Sequence, residues 1–124
     1  MILVNFIIME ERLILGLTES IIVAGERLIA RVDTGAERSS IDKKLAEKLD
    51  VTPIGVSKIR SASGQSVRPI IPVDIQICGR KLEGDFTVAD RTNMNYKVLI
   101  GQDILKKGNF FIDPLKLKKS EADE

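Results

Sequence analysis

Ala30-Arg31-Val32-Asp33-Thr34-Gly35-Ala36 is the stretch on which the reading of this chain turns. Its first half closes an apolar, β-branched run, so the backbone is extended and Asp33 stands where that strand leaves the core. The Gly lets backbone approach the carboxylate and present an N–H to it, while the Thr hydroxyl ties the loop in place. A carboxylate fixed at a strand end suits peptide hydrolysis driven by acid groups. The same Asp-Thr-Gly also fits a plain β-turn closed by an Asx-type hydrogen bond.

Composition narrows the choice. The chain has 124 residues, enough for one domain, and 44% of them are apolar, so a real core can form. Lys and Arg number 19 against 18 Asp and Glu, a net charge of +1 that offers no global field for a phosphate backbone. His is absent, which excludes a Ser-His-Asp or Cys-His nucleophile system within the chain. Cys78 without any His cannot build a tetrahedral zinc site, so metal work would fall to carboxylates alone, such as a divalent ion at Asp33 and Asp90; the leading expectation is no metal and no cofactor. Trp is absent and aromatics are 4%, which argues against base-stacking platforms, and no nucleic-acid partner is expected. A lone cysteine forms no internal disulfide, in keeping with a reducing, cytoplasmic setting. Met1 to Met9 is apolar, but it lacks a basic lead, runs into Glu10-Glu11 and is too short to span a bilayer. It reads as a strand, with no membrane partner.

Outward from Asp33, short β-branched runs alternate with Gly and Pro turns, which predicts an all-β domain with one or two short helices. Ile2 to Met9 and Leu13 to Leu17 are the first strands. Ile21 to Val23 and Leu28 to Val32 flank Ala24-Gly25-Glu26, a hairpin turn. The spacing of Ile41, Leu45 and Leu49 predicts a helix over 41–49, capped by Ser40. A long alternating strand covers Val67 to Ile77, and Pro69 and Pro72 push it to an edge or out of the sheet because neither can donate to a ladder. Arg60-Ser61-Ala62-Ser63-Gly64-Gln65 is a small, polar hairpin tip, and Cys78-Gly79-Arg80-Lys81 is another turn. Leu82, Phe86 and Val88 alternate in the next strand. Lys97 to Ile100, Gly101, a helical piece near Asp103 to Lys107 and a strand at Phe110 to Ile112 complete one domain over residues 1–117. Residues 118–124 read as a mobile charged tail.

In this order (Asp-Thr-Gly-Ala loop, hairpin, Val98-Leu99-Ile100-Gly101, helix) the chain resembles the retropepsin-like aspartic proteases over roughly residues 12–114. Ala30 to Ala36 with Ser39-Ser40, Arg68-Pro69, Asp90-Arg91 and Tyr96 ahead of Leu99-Ile100-Gly101 is similar to one branch of them, labelled ATP-dependent zinc proteases. That branch is associated with ATP-grasp ligases that append glutamate to proteins. Neither zinc nor ATP finds support here, because His is absent and no Gly-rich phosphate loop occurs.

The resemblance implies a closed, barrel-like, single-lobe fold with a flap hairpin, and a homodimer whose two Asp33 carboxylates activate one water. It gives Thr34 a role in locking the two loops together, Gly35 the floor of the cleft and Ala36 the space beside the peptide. Ser61, Ala62, Ser63, Gly64 and Gln65 become the flap, with Ser63-Gly64 as its hinge. Leu99, Ile100 and Gly101 form the apolar-Gly motif. Many relatives follow it with Arg, paired to an acid near the active-site loop; Gln102 stands there instead, leaving Glu37 to pair with Arg38 or Arg91. Arg31, Arg68 and Arg91 surround the cleft and suit an acidic or glutamate-rich peptide substrate; the alternative is that Arg68 and Arg91 pair with Asp74, Asp85 or Asp90 within the sheet. The competing reading is a catalytically idle module that uses the same fold to dimerise or to bind a peptide.

Overall fold

The computed structural model describes residues 12–117, except the Ser61 side chain, and the backbone of residues 2–4 and 7–9. The first apolar stretch is two strands rather than one: β1 (Ile2–Val4) and β2 (Ile7–Met9), antiparallel with Val4 opposite Ile7. Pairing satisfies backbone groups that a lone strand would leave to water. The expected charged tail, 118–124, lies outside the described residues.

β3 (Ile14–Leu15) is followed by β4 (Thr18–Val23) and β5 (Glu26–Val32). Ala24 and Gly25 join the last two with φ of 53° and 74°, the signature of a type I′ turn, whose twist matches that of the strands. The helix expected over 41–49 is shorter and starts later. Ser40 to Asp42 is a strand, β6, and α1 is Lys43–Glu47, capped by Asp42 through a 3.1 Å bond from Lys44 N. Ile41 imitates a helical position by its spacing from Leu45, yet it is fully buried as a strand residue. Tertiary pairing overrides the periodicity here.

β7 (Gly55–Ser61) and β8 (Gly64–Ile77) form a long hairpin, and Cys78-Gly79, again both at positive φ, turn the chain into β9 (Arg80–Ala89). β10 (Val98–Ile100), α2 (Gln102–Lys107) and β11 (Phe111–Ile112) complete the order. Neighbouring strands run β4-β5-β10-β6-β9-β8, and β8 pairs back to β4, so the ladder closes on itself, with β7 outside it on β8. Separately, β11 lies parallel to β3, with Phe111 opposite Ile14. Side chains of Ile21, Ile41, Phe86, Val98, Ile100 and Ile104 fill the interior with no exposure. Each contributes about 1.5–3 kcal/mol by leaving water.

β8 is not an edge strand, but each of its prolines finds a one-sided place. Pro69 faces Val56 of β7 beyond the reach of β9, and Pro72 faces Asp85 of β9 in the gap between Gly55, where β7 starts opposite Ile70, and Val23, where β4 ends opposite Ile75. A missing N–H costs nothing on a side with no neighbour. Among the described residues no helix is long and apolar enough to cross a membrane.

Candidate active site

β5 and β10 are parallel, with Leu99 opposite Arg31 and Ile100 opposite Val32. The ladder continues one step past the strand end, because Asp33 N donates to the Ile100 carbonyl at 2.8 Å. Asp33 is therefore held by the sheet and only half-buried. Gly35 N donates to Asp33 Oδ1 at 2.9 Å, and Ala36 N reaches the Asp33 carbonyl at 3.3 Å. A Cβ at Gly35 would sit 3.2 Å from Oδ1, so the small residue permits the close approach expected of it. Thr34 is exposed at the loop's apex.

The apolar-Gly motif supports this loop from below. A Cβ on Gly101 would lie 2.8 Å from the Ala36 carbonyl oxygen and 2.9 Å from the Arg38 carbonyl carbon. Gln102 ties this loop: its N donates to the Ala36 carbonyl at 2.8 Å and its Nε2 to the Thr34 carbonyl at 2.7 Å. The lock is neutral, and neither Arg38 nor Arg91 forms an ion pair with Glu37 among the described residues.

Two residues given no role from the sequence form the hub of the loop. Ser39 is fully buried; its N lies 3.1 Å from both Asp103 carboxylate oxygens and its Oγ donates to Oδ1 at 2.7 Å. Gly101 N donates to Ser39 Oγ at 2.9 Å, and Thr87 N donates to the Ser39 carbonyl at 3.0 Å. Asp103 also accepts from Ile104 N at 2.8 Å, inside the first turn of α2. One carboxylate thus joins helix, loop and barrel, and charge-assisted bonds of this kind are the stronger sort. In the sequence Ser39 shows only as part of the Ser39-Ser40 pair quoted with the motif, and Asp103, two positions after Gly101, reads as an ordinary acidic residue at a helix start.

The segment expected to act as a flap is a hairpin with Ser61 opposite Gly64 and Ala62-Ser63 at the tip. Gly64 has a φ of 123°, a backbone state suited to glycine. Residues directly opposite share a face. Ser57, Ile59, Arg68 and Ile70 occupy the more covered face, and Val56, Lys58, Val67 and Pro69 the exposed one. Arg68 therefore belongs to the sheltered side of the hairpin, and Gln65 to the open side.

Arg91 is 8% exposed, its N donating to Asp42 Oδ1 at 2.7 Å and its Nε to the Tyr96 carbonyl at 2.8 Å. It does not take Asp74, Asp85 or Asp90 as a partner; Asp90 instead accepts from Thr92, whose hydroxyl and N–H pull the Asp90 carboxyl below the usual range. Burial lowers the pKa of Arg91; the Asp42 charge raises it, and the nearby charges of Arg68 and Arg31 lower it again. The three arginines singled out from the sequence thus share one electrostatic neighbourhood. Arg31 and Arg68 have no carboxylate partner among the described residues. Among the described residues no group of three His, Cys, Asp or Glu comes together.

Comparison with solved structures gives the same architecture. A Legionella pneumophila protein of unknown function superposes with a TM-score of 0.64 at 19% identity, over 90% of this chain and 99% of that one. The simian foamy virus protease gives 0.59 at 20% identity, over 72% and 91%. The EIAV protease, solved with the inhibitor HBY-793, gives 0.60 at 23% identity, over 82% and 91%. These likenesses establish a retropepsin-like fold. No curated protein matches the sequence. Residues 42–121 match the family model described as the RimB-like retropepsin-like aspartic endopeptidase. With that match over most of its length, and an Asp-Thr-Gly loop at the end of β5, the chain belongs to the RimB-like family of retropepsin-like aspartic endopeptidases.

Proposed function

We propose that the chain is a homodimeric aspartic peptidase of a reducing, cytoplasmic compartment, with Asp33 of each subunit in one shared site and an acidic peptide as substrate. The observation that carries the reading is the Asp33 loop. A half-buried carboxylate is fixed by the Ile100 carbonyl bond and by Gly35 N, while Thr34 is left exposed to meet a partner. One such carboxylate is half of a catalyst. Two carboxylates about 3 Å apart cannot both ionise, so they share a proton. The charged one takes a proton from water, and the protonated one polarises the scissile carbonyl. Oxygen adds to the carbonyl carbon, the C–N bond breaks and the amine leaves with a proton.

Thr34 joins the two loops across the two-fold axis, Gly35 and Ala36 border the peptide, and the hairpin tip at Ser61 to Gln65 closes over it. The charges of Arg31 and Arg68 act on Arg91, and neither of the two pairs with a carboxylate among the described residues, which favours an anionic occupant of the cleft. Arg91 is held by Asp42 and Tyr96 and acts through its field, so Arg31 and Arg68 are the residues that meet carboxylates.

A structure of the assembled dimer tests the central claim. The paired Asp33 carboxylates should lie within about 3–4 Å of each other; a persistent monomer, or a dimer that leaves them far apart, overturns it. Removing the neutral lock should loosen that dimer. Gln102→Ala should weaken self-association by about five- to tenfold, as expected for one lost hydrogen bond, measured by sedimentation equilibrium. For the substrate, poly-glutamate peptides should be cut faster than neutral ones of equal length, and the advantage should shrink as salt rises. Equal rates at both salt concentrations remove the arginine argument.

A further inference from the structure

The C-terminal end of the domain carries chemistry that the Asp33 loop does not use. Glu19 lies on the core side of β4 with Ile21 and Val23 and is 1% exposed. A carboxylate so placed has to be satisfied from within the protein. Gly16 N donates to Oε2 at 2.7 Å, Lys116 Nζ donates to the same oxygen at 2.7 Å, and Cys78 Sγ stands 3.7 Å from Oε1. Lys116 Nζ also bonds the Ile14 carbonyl at 2.7 Å. Its neighbours Leu115 and Leu117 are each 88% exposed, so apolar contact does not seat this segment. The Lys116 side chain does, together with Asp113 N on the Leu15 carbonyl at 2.8 Å. Gly16 makes the room, since a Cβ there would lie 3.3 Å from that of Lys116.

The seated segment borders an open cavity of about 420 Å³ lined by Pro114 and Lys116 together with Leu17, Thr18, Arg31 and Tyr96. Arg31 is two residues before Asp33, exposed, opposite Thr18 of β4 and Leu99 of β10. A concave site lined by Leu17 and Pro114 with a hydroxyl, a phenol and a guanidinium that pairs with no described carboxylate suits a carboxylate side chain. We infer that this cavity is a subsite for an acidic residue of the substrate, and that the Glu19–Lys116 pair is the latch holding its C-terminal wall. Lys116 is a positioning residue here, while Arg31 makes the contact. The inference rests on the peptidase reading above.

The test uses the full-length chain and decapeptide pairs in which Glu or Gln occupies each position in turn. Lys116→Met should raise KM for the preferred Glu peptide about tenfold, leave kcat within about twofold and leave the Gln peptide unchanged. Lys116→Arg should restore KM. Because Lys116→Met strands a buried carboxylate and endangers folding, the double variant Glu19→Gln/Lys116→Met provides a second route and should show the same KM split. Equal KM changes for both peptides, or a lowered melting temperature with KM intact, overturn the latch. A wild-type chain that cuts no peptide overturns the peptidase reading instead. Binding of the same pairs to Asp33→Asn then tests the subsite without turnover: a Glu preference lost in Asp33→Asn/Lys116→Met supports it, and no preference overturns it.

Discussion

Asp33→Asn should abolish peptide cleavage while leaving the assembled particle intact. The Asn carboxamide keeps the shape of the Asp side chain, and its oxygen still accepts from Gly35 N, now 2.9 Å from Oδ1. The Asp33 N bond to the Ile100 carbonyl is backbone and is untouched. What disappears is the base. Losing general acid–base catalysis costs about 10²- to 10⁴-fold in kcat, and the dimer should be as tight as before or tighter, because two acids no longer face each other on an axis. Turnover and sedimentation mass should be measured on the same preparation. A variant retaining more than about one part in a hundred of the activity would remove Asp33 from the chemistry, and with it the shared-proton mechanism.

The second large effect is expected at Gly101. Its φ of −99° is open to any residue, so alanine there brings no backbone strain of its own. The cost is steric. The new methyl would stand 2.8 Å from the Ala36 oxygen and 2.9 Å from the Arg38 carbonyl carbon, and both are backbone atoms of the Asp33 loop. No flexible side chain can yield, so the loop has to move. Overpacking of this sort costs about 1–3 kcal/mol, read as a lower urea midpoint. Activity should suffer more than stability, because a displacement of about 1 Å in a reacting geometry costs about 10²-fold. Gly55→Ala is the control: its Cβ would meet nothing closer than Ile70 Cδ1 at 4.0 Å, and both readouts should stay near wild type. Full activity in Gly101→Ala would mean that the motif does not support the loop.

Much of this is visible before any folding is considered. The turns at Ala24-Gly25 and Cys78-Gly79, the strand running up to Val32, and the Gly35 approach to Asp33 all depend on residues adjacent in the chain, and local chemistry leaves local marks. The errors have the same origin. Ile41 sits at helical spacing from Leu45, and nothing nearby in sequence reveals that β9 and β10 will flank it as a strand. The prolines of β8 point to an edge strand, yet β8 has neighbours on both sides, because which strands begin and end around each proline depends on distant partners.

The candidate site divides in the same way. Asp33, Thr34, Gly35 and the apolar-Gly motif announce themselves as short words. Ser39 and Asp103 do not, because their bond spans 64 positions, and Lys116 reaches Glu19 across 97. Either side chain alone is an ordinary polar residue. They become a hub and a latch only when β5 and β10 are laid side by side and β11 is brought against β3. The amino-acid order was enough to say that one carboxylate would stand at a strand end beside a glycine, since a chain's backbone preferences act over a few residues. Which distant groups would hold that carboxylate, and which would wall the space around it, followed from the order of the strands. That order is set by the joint burial of many side chains at once, and no single segment carries it.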